Sequence, residues 1–99
     1  MAKYDVFARR SGAGYLLDCQ ADLLSQLNTR FVVPLLPARE APKPAARLNP
    51  IFDLEGGSYV MTTQFAAAVP VAELGERIAS LGDQDTVILN ALDMLISGF

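Results

Sequence analysis

The sequence contains no histidine and no tryptophan, and Cys19 is its one cysteine. Without histidine the chain lacks the commonest general base near neutral pH and the commonest metal ligand. A lone cysteine excludes an intrachain disulfide, a thiolate zinc site and CxxC redox chemistry, and it suits a reducing cytoplasm. Cys19 alternates with Asp18 and Gln20 in a strand-like pattern, so it reads as a small buried apolar residue and not as a nucleophile. Basic charge is also scarce: 8 Lys and Arg stand against 11 Asp and Glu, for a net charge of −3. Lys3, Arg9 and Arg10 form the one basic cluster, while Arg30, Arg39, Lys43, Arg47 and Arg77 are scattered. Direct nucleic-acid binding is therefore disfavoured, because neutralising phosphates needs clustered cations. The start Met1-Ala2-Lys3-Tyr4-Asp5 has no apolar signal core, and no apolar run approaches the ~20 residues of a membrane helix. A soluble cytoplasmic protein with no membrane partner is expected.

What remains is core material. The 99 residues suffice for one domain, 1–99, and 52% of them are hydrophobic. A short chain this apolar either fills its core unusually well or keeps apolar surface for a partner, and obligate homodimer interfaces resemble a core cut in half. The first strand is predicted over Tyr4–Ala8, turning through Arg9-Arg10-Ser11-Gly12-Ala13-Gly14 into a second over Tyr15–Gln20. Phe31-Val32-Val33-Pro34-Leu35-Leu36 has the composition of a central strand, yet Pro34 has no N–H for a ladder, so an edge position, a bulge or a bend is expected there. Pro37 to Pro50, broken by Pro42 and Pro44, reads as an extended surface excursion. Ile51–Leu54 and Tyr59–Thr63 flank Glu55-Gly56-Gly57-Ser58 as the clearest hairpin, and Ala67–Val71 follows as another strand. Glu73–Leu81 is ambiguous between a short helix and an irregular strand.

A helix is predicted after Gly82, with Asp83 as N-cap and Asp85 near the positive end of its dipole. Its polar residues Thr86, Asn90, Asp93 and Ser97 recur at intervals of three and four, so they form one narrow stripe, and the rest of its surface is apolar. Such a helix needs cover on more than one side. Gly12-Ala13-Gly14 and Gly56-Gly57 lack the frame of phosphate-binding loops and read as turns. Asp18 and Asp22 could be neighbours, as a hydrogen-bonded or solvated pair. No catalytic constellation, metal site or cofactor site is specified.

Several stretches resemble the CcdB family of toxin–antitoxin toxins in order and spacing along nearly the whole chain. Leu17-Asp18-Cys19-Gln20-Ala21-Asp22-Leu23-Leu24 is similar to the family's Val-Asp-Val-Gln-Ser-Asp segment, and Arg30-Phe31-Val32-Val33-Pro34-Leu35 to its Arg-x-Val-Ile-Pro-Leu strand. Met61-Thr62-Thr63 and Ala67-Ala68-Val69-Pro70-Val71 resemble its Met-Thr-Thr and Ser-Val-Pro-Val pair at the same separation. Asn90-Ala91-Leu92-Asp93-Met94-Leu95 leads to Gly98, second from last. The resemblance implies an α+β, mainly β fold: a twisted antiparallel sheet, a small accessory sheet and one C-terminal helix, a CcdB/MazF-like, SH3-like barrel. It implies a homodimer that binds the A subunit of DNA gyrase, traps the gyrase–DNA cleavage complex, and is neutralised by a CcdA-like antitoxin. It places the gyrase contact at Ser97, Gly98 and Phe99, with Asp93 and Leu23. Gly98 matches the family's Trp-Gly-Ile; Ser97 stands where the Trp would be, and Phe99 puts an aromatic where the family has an aliphatic residue. Two alternatives stay open: a non-toxic homologue that only binds antitoxin, and an endoribonuclease toxin of the same fold, for which Arg30 with Asp18 or Asp22 would be the imaginable site.

Overall fold

The computed structural model describes residues 2–10 and 12–98. Strands β1 (Asp5–Arg9), β2 (Tyr15–Asp18), β3 (Thr29–Pro37), β4 (Ile51–Leu54), β5 (Gly57–Met61), β6 (Ala67–Pro70) and β7 (Leu74–Ser80) precede helix α1 (Asp85–Ser97). All pairings are antiparallel, in the order β4-β5-β3-β2-β1-β7, and β6 also pairs with β3. The mainly β fold with one C-terminal helix is therefore the one the residues imply. The expected accessory sheet is the β4–β5 hairpin with β6, joined through β3 into one continuous 7-stranded sheet.

Both hairpins follow from their turn residues. Between β1 and β2, Gly12 and Gly14 take φ of 85° and 86°. A Cβ on Gly14 would also collide with the carbonyl oxygen of Leu35, so this position needs glycine on two counts. Between β4 and β5 the turn is tighter than the sequence suggests. Leu54 pairs with Gly57, and the two residues between them, Glu55 and Gly56, have φ of 49° and 79°, as a type I′ turn requires.

Pro34 lies inside the most central strand, and the irregularity it needs is in its partner. One edge of β3 pairs with β6 over Thr29–Val32 and with β5 over Leu35–Pro37, so β5 and β6 act as one strand interrupted at 62–66. Cys19 donates its N–H to the Phe31 carbonyl at 2.9 Å, which fixes the alternation and turns Pro34 away from β2, toward that interruption. No ladder hydrogen bond is lost. The Pro34 carbonyl accepts the Thr62 N–H at 3.0 Å and the Thr62 hydroxyl at 2.8 Å.

The 38–50 excursion is pinned at its far end. Asn49 is buried, donating to the Met61 carbonyl at 3.0 Å and accepting the Ala45 N–H at 3.0 Å, while the Thr63 hydroxyl donates to the Leu48 carbonyl. The ambiguous segment after Glu73 is strand β7, which pairs with β1 with register shifts at Val6/Phe7 and Phe7/Arg9.

The central strands β1, β2 and β3 carry buried residues on both faces. The larger core joins Val6, Leu17, Cys19, Val33, Leu35, Met61 and Leu81 to Ile88, Ala91 and Leu92 of the helix. A smaller cluster of Phe7, Leu16, Val32 and Leu74, with Val69 against it, lies on the other face. Tyr4 belongs to the larger core in a left-handed conformation, φ 72°, uncommon for an aromatic residue. Its N–H donates to the Asp18 carbonyl at 2.6 Å and its carbonyl accepts the Leu81 N–H at 2.8 Å, which ties the ends of β2 and β7 together.

One correction concerns the helix entrance. Asp83 is not the N-cap: the chain enters through a 3₁₀ turn, Gly82–Gln84, and Gln84 precedes the α-helix without a capping side chain. The Gln84 N–H already donates to the Leu81 carbonyl at 2.9 Å, so the tighter turn does part of the work of a cap. Asp85 does lie in the first turn, as its sequence position suggests.

Candidate functional site

Helix α1 buries Ile88, Ala91 and Leu92 against the sheet and packs on the segment Thr63–Phe65. The polar stripe Thr86, Asn90, Asp93 and Ser97 is exposed, as the spacing predicts. So is much of the apolar remainder: Val87 is 41% exposed, Leu89 38%, Leu95 43% and Ile96 76%. One sheet therefore covers only one side of a helix that is apolar on most sides.

The helix stops at Gly98, which takes φ 78° and ψ 17° and donates its N–H to the Met94 carbonyl at 3.0 Å. This left-handed cap satisfies one of the last helical carbonyls and turns the backbone off the helix axis. A Cβ on Gly98 would meet nothing within 4 Å, so the backbone here is open to a partner. Ser97 and Asp93, four residues apart, are exposed on one face beside it. Phe99 lies outside the described residues. Leu23 is elsewhere in the chain, in the 3₁₀ turn Asp22–Leu24 between β2 and β3, and is 90% exposed. Sequence reasoning misses Ile96, because an apolar residue in an apolar helix carries no sign of which side will be left open.

The residues imaginable as a ribonuclease site are placed differently. Arg30 and Asp18 sit diagonally across β2 and β3, 1% and 0% exposed, with Arg30 Nη2 and Nε at 2.5 and 3.0 Å from Asp18 Oδ2. Asp18 Oδ1 accepts the Gln20 N–H at 3.0 Å, and the Gln20 amide in turn bonds the Phe31 N–H and the Leu24 and Thr29 carbonyls. Arg30 Nη1 is buried without a hydrogen-bond partner. A guanidinium so enclosed offers nothing to a phosphate from solvent. Asp22 does not join Asp18; its carboxylate accepts the Lys3 N–H at 2.7 Å and holds the loop down.

Cys19 is buried, and burial, with the neighbouring Asp18 carboxylate, pushes its thiol up to about 12; Lys3 opposes this weakly. The thiolate that a nucleophile or ligand would need is thus disfavoured. Burial, and secondarily the Asp85 carboxylate, also raises the pKa of the Tyr4 hydroxyl. Among the described residues no group of His, Cys, Asp or Glu side chains could hold a metal ion. No helix among them is long and apolar enough to cross a membrane.

Residues 3–98 match the model of the family described as CcdB protein. The chain belongs to the CcdB family. It is thus a member of a family of toxins from toxin–antitoxin systems, which implies an antitoxin as partner. Among solved structures it is similar to the Mycobacterium tuberculosis toxin MazF-mt6, with a TM-score of 0.77 over 93% of this chain and 95% of that one, at 15% identity. That likeness carries the fold only. The residues by which the sequence resembles the family prove to be mainly those that hold the fold: Asp18, Gln20 and Arg30 in the buried network, and Pro34, Thr62 and Thr63 where β5 breaks from β3.

Proposed function

We propose that this CcdB-family protein is a gyrase poison. It works as a cytoplasmic homodimer that binds the A subunit of DNA gyrase through the end of α1, traps the cleaved gyrase–DNA complex, and is neutralised by a CcdA-like antitoxin. It performs no chemistry of its own. The observation that carries this reading is the open helix end, where Ser97 is exposed and Gly98 turns the backbone outward with free space around it. Asp93 and Ile96 flank that end, Phe99 would supply an aromatic contact, and Leu23 offers an exposed leucine from the β2–β3 loop. The family's Trp at position 97 is absent, and loss of a buried aromatic anchor typically costs a few kcal/mol, about 2–4; binding weaker than that of Trp-bearing members is expected.

The ribonuclease reading has the fold of MazF-mt6 in its favour and the enclosure of Arg30 by Asp18 against it. The antitoxin-only reading draws on Ser97.

Deleting Gly98 and Phe99 separates these. The deletion takes away the cap and no buried contact among the described residues, so melting should change by no more than about 1 kcal/mol in stability. Calorimetry on a fragment of the gyrase A protein should show at least a tenfold loss of binding, and growth inhibition should vanish. A Ser97→Trp variant should bind more tightly. Unchanged gyrase binding by the truncated protein would put the functional surface elsewhere, and no binding by the intact protein would favour the antitoxin-only reading.

A further inference from the structure

Among the described residues, the sheet's two end strands, β4 and β7, each pair on one side only. Both line the same cleft of about 790 Å³, which the start of the helix closes through Asp83, Gln84 and Val87. The pairing alternation points part of each edge away from its partner strand. Leu54 pairs with Gly57 across the tight turn, and the Met61 N–H bonds the Pro50 carbonyl at 2.9 Å, so the alternation leaves Ile51 and Asp53 with N–H and C=O directed away from β5. On β7 the Leu81–Tyr4 bond of 2.8 Å sets the same alternation and directs the Ser80 backbone away from β1. Exposed edges of this kind accept an added strand.

The side chains around the cleft define what that strand would be. Asp53, Glu55 and Asp83 line it, and among the described residues no Lys or Arg does. The nearby Arg77 is engaged by Asp5 at 3.0 Å. Apolar contact comes from Ile51, 53% exposed, from Val87, 41% exposed, and from half-buried Ile78. A strand residue fills on the order of 160 Å³ at a rise of about 3.4 Å, a strand spacing of about 4.8 Å and a sheet spacing of about 10 Å. The cleft thus takes roughly five residues.

We propose that this cleft is a docking site for an extended basic segment of another protein, added as a strand along β4 and β7 with lysine or arginine side chains alternating with aliphatic ones. The site is distinct from the gyrase-binding end proposed above. The helix has 13 residues, and at about 1.5 Å per residue its two ends are about 18 Å apart. The inference therefore stands or falls independently of gyrase.

The probes are synthetic ten-residue peptides added to the full chain: one alternating Lys and Val, one alternating Glu and Val, and the Lys–Val peptide N-methylated at alternate residues. Calorimetry and amide chemical shifts are read together. The Lys–Val peptide should bind at least tenfold tighter than either other peptide and shift the amides of Ile51, Asp53 and Ser80. A chain carrying Asp53→Lys and Asp83→Lys, both exposed positions, should lose that preference at an unchanged melting temperature; should it melt lower, Glu55→Gln and added salt must each weaken the Lys–Val peptide instead. Equal binding of the Glu–Val peptide would overturn the proposal, as would indifference to N-methylation. So would a second copy of the chain covering these amides in the absence of peptide.

Discussion

Arg30 shows how a residue that looks chemical from its type can be structural from its place. It lies two residues from Val32 on the same face of β3, opposite Asp18 by a diagonal register, and both side chains are enclosed. Removing one partner of a buried ion pair leaves the other charge uncompensated, which typically costs about 3–5 kcal/mol. Arg30→Ala should therefore lower stability by about that much in denaturant melts, and Asp18→Ala similarly. The Asp18→Leu, Arg30→Met double variant should recover most of the loss, since replacing such a pair by apolar side chains is often neutral or stabilising. A double variant no more stable than the singles would mean that the Gln20 network, not the ion pair, holds this face. Cys19 gives a pH signature of opposite character. Its thiol ionises near 9 in the unfolded chain and near 12 when folded, so above pH 9 the unfolded state binds fewer protons than the folded one. Stability then falls as pH rises, by on the order of 1 kcal/mol per unit from this group between those values. The raised Tyr4 hydroxyl adds to the loss above its ordinary value of 10. Melting curves from pH 8 to 11 should show the decline, and Cys19→Ala should flatten its first part. An equal decline in that variant would assign the whole effect to other groups.

Among the elements, the β4–β5 hairpin was legible because its turn carries a local signal, and that signal also exposes its weak point. A type I′ turn needs positive φ at both central residues, and Glu55 at φ 49° pays a cost that Asn does not. Glu55→Asn should stabilise the chain by about 0.5–1 kcal/mol, read as a rise in melting temperature; no rise would mean that the Glu55 side chain compensates by a contact of its own. Strand β3 was legible in composition but not in topology. Pro34 announced an irregularity, yet nothing local says that the partner strand carries it, because β5 and β6 share the β3 edge only through long-range pairing. Strand β7 was unreadable for a similar reason: Leu74 and Ala79 pair across β1 with two register shifts, which blur the period of two. The helix and its exposed polar stripe follow from spacing, whereas its entrance does not, since Asp83 fits a cap by type and is displaced by a 3₁₀ turn. At the candidate site, Ser97 and Gly98 could be placed from helix periodicity, but the exposure of Ile96 and Leu23 depends on where the sheet lies beneath them.

At the scale of the molecule, the apolar surface is larger than one chain covers. Leu89, Leu95, Ile96 and Val87 on the helix are all at least 38% exposed, and Leu23, Leu24, Leu27, Ile51 and Phe65 are exposed elsewhere. Full burial of one such side chain is worth about 1.5–3 kcal/mol, so a few of them brought together outweigh much of what association costs. A second copy is the partner the family resemblance supplies, and a helix apolar on most sides is suited to a two-fold contact in which each patch meets its own counterpart. The chain should therefore sediment as a dimer at micromolar concentration, with a melting temperature that rises with concentration, because binding that favours the folded state stabilises it by mass action. Leu89→Ser with Leu95→Ser should shift the equilibrium toward monomer and remove that concentration dependence without touching Ile88, Ala91 or Leu92, the residues that seat the helix. A wild-type chain that sediments as a folded 10.7 kDa species would end the homodimer reading. A dimer indifferent to both substitutions would move its interface off the helix, to the sheet edges or to the Leu23–Leu27 loop.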